Sequence, residues 1–230
     1  MPGSLRRLLA RSRPAEPAPP PRPPWLADGR PLRLHVGAGR ERLEGWVNLD
    51  LLDLPGVDVV ADVTQGLDFT GVEAVYAEHF LEHLRADQGI DFLAECHRCM
   101  APGGLLRLST PNLDWVWLTH YHPDAPAEVK EREALLTNRA FHGWGHRFLW
   151  NRELLAAALD ACGFERLAWC AWGESEHALF QGIERHERYG DDPAIPHVLI
   201  VDAVRGDERP EALAALRRRF AEELVQHLDA

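Results

Sequence analysis

Leu32-Arg-Leu-His-Val-Gly-Ala-Gly39, followed six residues later by Trp46-Val-Asn-Leu-Asp50, is the stretch on which the fold turns. A short apolar run ends in two glycines, and a second ends in an acid. Glycine has no Cβ, so a glycine turn after a strand lets a ligand approach the backbone, although a purely structural turn has the same appearance. A dinucleotide fingerprint needs a third glycine, where this chain has Arg42, and roughly 20 residues between the first glycine and the ribose-binding acid. Asp50 follows Gly37 by only 13 positions. With residues 46–49 used as strand, Arg40 to Gly45 are left for the crossover, little more than one helical turn. A pyrophosphate needs the N–H groups and dipole of a helix start. A ligand with ribose and adenine but no phosphate suits this turn better.

Further strands follow outward from this pair. Val57 to Ala61 closes on Asp62, Ala74 to Ala77 runs into Glu78-His79, and Leu105 to Ser109 leads into Thr110-Pro-Asn-Leu-Asp114. Phe164 to Trp172 and His197 to Val204 complete seven. A helix is expected from an N-cap at Asp87 to Met100, with Ile90, Leu93, His97 and Met100 on one face and Pro102-Gly-Gly104 as its stop. Residues after Asp114 look irregular, Pro126 to about Ala140 looks helical, and Asn151 caps a helix that ends at Gly163. From Pro210, Leu213, Leu216, Phe220, Leu224 and Leu228 repeat as an amphipathic helix. Residues 1–24, which include Pro14, Pro17, Pro19, Pro20, Pro21, Pro23 and Pro24, read as a disordered or polyproline tail. The domain is then expected at 25–206, with a C-terminal helix at 207–230.

Composition narrows the chemistry. The chain has 230 residues and a formal charge of -11, with 25 basic and 36 acidic residues. Residues 1–24 hold five arginines and one glutamate, so the remainder carries -15 and favours neither nucleic acid nor an anionic membrane. Lys130 is the only lysine, which removes the P-loop and leaves Schiff-base chemistry one candidate in a solvated charged run. Cys96, Cys99, Cys162 and Cys170 read as reduced thiols of a cytoplasmic protein. No apolar run reaches the roughly 18 residues of a membrane span.

Asp50 can accept two hydrogen bonds from a ribose diol. Asp62 can accept from an adenine amino group, with Val63 packing beside the ring, although either aspartate could simply start a turn. At this point the residues resemble a family. Leu34-His-Val-Gly-Ala-Gly39, Gly45-Trp-Val-Asn-Leu-Asp50, Val59-Val-Ala-Asp-Val63, Tyr76-Ala-Glu-His-Phe-Leu-Glu-His83 and Met100-Ala-Pro-Gly-Gly-Leu-Leu106 resemble, in order, the signature blocks of class I S-adenosylmethionine-dependent methyltransferases of the type 11 kind. The similarity continues through His146-Arg-Phe-Leu-Trp150 and Ala161-Cys-Gly-Phe164.

The resemblance implies a three-layer, Rossmann-like α/β sheet of seven mostly parallel strands, the last antiparallel, and S-adenosyl-L-methionine as cofactor. It implies that Gly37, Ala38 and Gly39 face the methionine part, Asp50 and Leu51 the ribose side, and Asp62 and Val63 the adenine. Glu78 and His79 would lie near the sulfonium. The short first crossover departs from the full helix usual in the family. Methyl transfer needs alignment above all, and a base only when the acceptor holds its proton tightly.

Twelve histidines also invite a metal. His79 and His83 stand four apart, as do His142 and His146, while Cys96, His97 and Cys99 add soft ligands. No second cysteine pair completes a zinc ribbon, and His97 falls on a core-facing position. No metal is expected; His79, His142 and His146 are instead candidates for a general base. Six tryptophans after the fifth strand form either an aromatic lid or core and dimer packing. The expected activity is transfer of a methyl group to an oxygen or nitrogen of a small-molecule or glycan-like acceptor, with a possible homodimer. The alternatives are a non-catalytic binding protein of the same fold and a metal-dependent hydrolase.

Overall fold

The computed structural model describes Gly29, residues 31–190 and residues 192–225. The expected tail at 1–24 and Leu228 lie outside them. Seven short runs pair into one sheet: β1 (Arg33–Val36), β2 (Val47–Asp50), β3 (Val59–Val60), β4 (Val72–Glu78), β5 (Met100–Pro111), β6 (Phe164–Trp169) and β7 (Val198–Arg205). Their order is β3-β2-β1-β4-β5-β7-β6. β7 pairs antiparallel with both β5 and β6, and the remaining pairs are parallel. This is the seven-stranded Rossmann-like layout that the resemblance implies, with its last strand antiparallel. The order reverses between β1 and β4, and such a switch point opens a crevice beyond the strand C-termini.

The two faces of the sheet differ in chemistry, because side chains alternate along a strand and paired residues share a face. Leu34, Val36, Val75, Ala77, Leu106 and Leu108 point one way and are buried. Over them lie α1 (Ala86–Cys99), α4 (Arg152–Ala161) and α5 (Pro210–Phe220), which pack on one another. α1 buries Ile90, Phe92, Leu93, Cys96 and His97, and α5 buries Leu216 and Phe220. The C-terminal helix therefore covers its own domain. The remaining helices, α2 (Leu113–His120) and α3 (Ala127–His142), pack on each other.

The other face carries His35, Asn48, Tyr76, Arg107 and Asp202, which the register places side by side. All five are buried. Their cover holds no α-helix. It consists of the first crossover and the long connection from β6 to β7, whose Phe180 and Ile183 join Leu43, Trp46, Ala74 and Tyr76 in one apolar cluster. Burying a phenylalanine such as Phe180 contributes roughly 1.5–3 kcal/mol. Polar bonds do the rest. Arg107 meets Glu184 and Asp202 at 2.6 Å each, with all three side chains buried, and its guanidinium also donates to the Glu174 carbonyl.

The first crossover is as short as the sequence indicates, and residues 37–46 contain turns but no helix. Asn48 replaces what a helix would have done. Its amide nitrogen donates to the Leu43 and Trp46 carbonyls, and its oxygen accepts from the Leu43 N–H and lies 3.0 Å from His35 Nδ1. Buried backbone groups are thus paired without a helical ladder.

Several boundaries move. Asp87 does not cap α1; Arg85 holds that position, and the Gln88 side chain accepts from its N–H. The Pro102-Gly-Gly104 stop lies inside β5, because α1 passes straight into the strand at Met100. Met100 pairs with Val72 and Leu105 with Ala74, so residues 101–104 bulge out, helped by the missing N–H of Pro102 and a φ of 75° at Gly103. The stretch after Asp114 is helical rather than irregular. The Asn112 side chain caps α2 by accepting from the Asp114 N–H, but only Val116 is buried, so no apolar stripe marks the helix in sequence. Asn151 does cap α4, accepting from the Leu154 N–H. No helix among the described residues is long and apolar enough to cross a membrane.

Candidate functional site

The C-terminal ends of β1, β2 and β3 and the turn after β4 surround a cavity of about 670 Å3, within the range of small-molecule and cofactor sites. Gly37, Asp50, Leu51, Asp62, Val63 and His79 all line it. So do His83, weighed in the sequence only as a metal ligand, and Leu52, Phe80, Gln88 and Arg147, which the sequence did not single out. Ala38 and Gly39 do not. Ala38 is buried, its N–H donating to the Leu49 carbonyl, and the Gly39 N–H donates to the Asp50 carboxylate.

Asp50 is braced on both oxygens. Oδ2 accepts from the Gly39 N–H at 2.8 Å and Oδ1 from the Leu52 N–H at 2.9 Å. An ionised carboxylate has about four lone-pair sites, so one on each oxygen remains for a pair of neighbouring hydroxyls. Leu51 and Leu52 beside it are 64% and 59% exposed on the cavity wall, with Val63 buried opposite. Asp62 fulfils the turn-starting alternative: its Oδ1 accepts from the N–H and hydroxyl of Thr64, which hold its carboxyl below the usual range. The Gln65 side chain adds a weaker hydrogen bond to the same carboxyl.

The glycine turn also answers to packing. Gly37 has a φ of 69°, and a Cβ there would lie 2.5 Å from the Phe80 ring. Phe80 packs in turn on Phe92 of α1, with ring centroids 5.1 Å apart. Gly37 is thus fitted to a half-buried ring of the cavity wall. At Gly39 a Cβ would meet nothing within 4 Å, but its φ of 55° is left-handed, a region L side chains rarely adopt.

His79 also adopts a left-handed conformation, with φ 47°. Such a residue persists only when its surroundings over-determine it. Its N–H donates to the Ser109 carbonyl, and its Nδ1 lies 3.0 Å from Oε1 of the wholly buried Glu82. Thr110 donates to the other Glu82 oxygen. Burial lowers the His79 pKa, but the hydrogen bond and charge of Glu82 more than offset it, so the net shift is upward.

Glu78 turns away from the cavity. Its carboxylate accepts from the Arg185 and His186 N–H groups and lies 2.5 Å from His186 Nδ1. Burial raises its pKa, yet these donors prevail and bring it down to about 2. Of the two residues expected beside a sulfonium, His79 lines the cavity and Glu78 does not. His186 escaped notice in the sequence, although the dense run Glu184-Arg-His-Glu-Arg188 inside a strand connection was a visible signal. The His186 and His79 rings meet edge to face at 4.8 Å.

The remaining candidates separate. His142 is exposed at the end of α3 and lines no described cavity. His146 donates from Nδ1 to the Ala140 carbonyl and stands 5.3 Å from the His83 ring. The histidines therefore pair across the chain rather than at spacing four. Glu82, His83 and His146 offer ligand atoms within 4.8 Å of one another, but both Glu82 oxygens already have partners in His79 and Thr110. Cys96, Cys99 and Cys162 are buried free thiols, pushed up by burial, the last two to about 12. Among the tryptophans, Trp150 is core, Trp117 and Trp144 are exposed, and Trp169 and Trp172 line a second cleft.

No family model and no curated protein matches the chain. Among solved structures it is similar to a SAM-dependent methyltransferase from Archaeoglobus fulgidus, at 16% identity and TM-score 0.46, over 76% of this chain and 86% of that one. The CurJ carbon methyltransferase gives 17% identity and TM-score 0.47 over 78% of this chain, which spans only 50% of that protein. A Burkholderia thailandensis 1,6-didemethyltoxoflavin N1-methyltransferase, solved with its substrate and S-adenosylhomocysteine, gives 18% and 0.47, over 78% and 73%. These are likenesses of layout.

Proposed function

We propose that the chain is an S-adenosylmethionine-dependent methyltransferase, and that the cavity beyond β1, β2 and β3 holds the cofactor. The observation that carries this reading is Asp50: a carboxylate fixed by two backbone N–H groups, facing a cavity whose adjoining wall is two exposed leucines. That combination suits a ribose diol next to an aromatic base. With no helix in the first crossover, the turn after β1 offers a pyrophosphate no helix start.

The residues fit the group in order. Asp50 would accept from both ribose hydroxyls. Leu51, Leu52 and Val63 would pack on the adenine, with the second Asp62 oxygen within reach of its amino group. Gly37 and His79 would line the side toward the methionine part. When bound, the cofactor supplies an electrophilic methyl group on a cationic sulfur. The protein's contribution is then to fix the acceptor in line with that methyl and to exclude water, and such positioning can supply much of the rate. The acceptor atom, oxygen or nitrogen, belongs to a small molecule.

Titration with S-adenosylhomocysteine tests the reading. Thermal unfolding of the full chain is expected to shift upward with S-adenosylhomocysteine and not with NAD, and Asp50→Ala should abolish the shift. Stabilisation by NAD alone would overturn the assignment.

A further inference from the structure

A second cleft, of about 340 Å3, opens where β6 ends and β7 begins. Buried Val198 and Ile200 form its floor, and Trp169, Trp172 and Tyr189 stand among its walls. Its charge opposes that of the chain. In a protein of formal charge -11, the twelve residues lining this cleft include Arg152 and Arg188 and no carboxylate. The Arg152 guanidinium lies 4.8 Å over the Trp169 ring, an arrangement that leaves its N–H fork free for a planar anion.

At His186 the wall of this cleft meets the wall of the first cavity. It lines the cleft, while its edge-to-face partner His79 lines the cavity. Its Nδ1 is tied to Glu78, and its Nε2 has no partner among the described residues. An imidazole held by a carboxylate on one nitrogen presents the other as a base in a fixed tautomer. The charged and titratable groups around it are Glu78 at the end of β4 and His79 just after it, Arg185 and Glu187 on its own segment, and Arg152, Arg188 and Tyr189 in the cleft.

We propose that this cleft is the methyl-acceptor site, that the acceptor is a hydroxylated aromatic acid, and that His186 is its general base. The inference rests on the first cavity being the S-adenosylmethionine site. The aromatic ring lies among Trp172 and Tyr189, the acid group meets Arg152 and Arg188, and the hydroxyl points to His186. As the hydroxyl oxygen bonds to the methyl carbon, the carbon–sulfur bond breaks with its electron pair going to sulfur. His186 Nε2 takes the hydroxyl proton, and the Glu78 carboxylate faces the imidazolium so formed. A cleft of this size suits a one-ring or two-ring molecule, and arginines without carboxylates favour an acid over a neutral sugar.

Calorimetric titration of the full chain, saturated with S-adenosylhomocysteine, tests the proposal with 4-hydroxybenzoate against neutral 4-hydroxybenzyl alcohol and glucose. The acid is expected to bind at least about tenfold more tightly than the alcohol, and glucose not at all. Arg152→Gln and the more exposed Arg188→Gln should each weaken the acid by about tenfold while leaving S-adenosylhomocysteine affinity unchanged. His186→Asn should keep acid binding within about threefold, lower methylation of 4-hydroxybenzoate by about 100-fold, and remove the acidic limb of its pH–rate profile. Equal binding of acid and alcohol, or acid binding indifferent to both arginines, would overturn the acceptor assignment while the cofactor reading stands. Failure of S-adenosylhomocysteine to bind would overturn both. An unchanged pH profile in His186→Asn would remove the base.

Discussion

On one face of the sheet Leu34, Val36, Val75, Ala77, Leu106 and Leu108 meet three helices; on the other, His35, Asn48, Tyr76, Arg107 and Asp202 meet two segments with no α-helix in them. Both faces are dry. The first is held by non-directional apolar burial, which tolerates exchange of one hydrophobic side chain for another of similar volume. The second is held by directional bonds whose partners must all be present, since a buried charge or amide left unpaired is costly. The difference teaches where each kind of holding is used: apolar packing carries the frame, and the polar face fixes the β6 to β7 connection that delivers Glu184 and His186 to the strand ends.

The largest effect should come from cutting the polar face at its centre. Arg107→Met strands Glu184 and Asp202 without their cation and is expected to cost about 3–5 kcal/mol in urea unfolding. Amide exchange should also quicken selectively across residues 173–186. A uniform increase over the whole chain would break the distinction between the faces. Leu93→Ala, on the helix side, should cost about 2–5 kcal/mol but leave the relative protection of residues 173–186 unaltered. Asn48→Ala removes the partners of Leu43 and Trp46 and should cost about 1–3 kcal/mol, with new exchange confined to residues 40–46.

Smaller still is Gly37→Ala, which sets a Cβ against Phe80 in a left-handed conformation. It is expected to cost about 1–3 kcal/mol and to weaken S-adenosylhomocysteine binding. In a double-mutant cycle with Phe80→Ala, part of that cost should vanish, and strict additivity would show that backbone strain alone is responsible. The last effect is conditional on pH. Glu78 has its pKa lowered from 4.5 to about 2 by the His186 and Arg185 donors, despite burial. A depressed folded-state pKa contributes stability above the unfolded value and loses it as pH falls through the folded one. The stability difference between wild type and Glu78→Gln should therefore hold above about pH 4.5 and fade toward about pH 2. A difference that grows on acidification would reverse the assignment.

The frame was legible in the amino-acid order because each of the first four strands is a short apolar run that stops at a glycine or an acid, as at Val36-Gly37 and Leu49-Asp50. The polar face was also written there, in Leu34-His-Val36, Val75-Tyr-Ala77, Leu106-Arg-Leu108 and Val201-Asp-Ala203. Period-two alternation ordinarily signals a solvated side. It misleads here because the cover comes from far along the chain: Arg107 and Glu184 are 77 positions apart, and no local pattern announces such a partner. The same distance hid His186, which only the fold brings to Glu78. α2 was missed for the opposite reason, since Trp115, Val116, Trp117 and Leu118 are apolar in succession and leave no stripe to detect. Gly37 and Asp62 were found for reasons that the fold amends: one accommodates Phe80, and the other also caps a turn.

The short first crossover has an engineering corollary. The connection from β6 to β7 must stand in for a helix, so it is pinned by Phe180 in the apolar cluster and by Glu184 on Arg107, while Tyr189 and Arg188 beyond those pins are exposed. A library that randomises residues 187–190 and preserves both pins would sample new small-molecule preferences on an unaltered scaffold, whereas a graft that discards the pins would unseal the sheet itself.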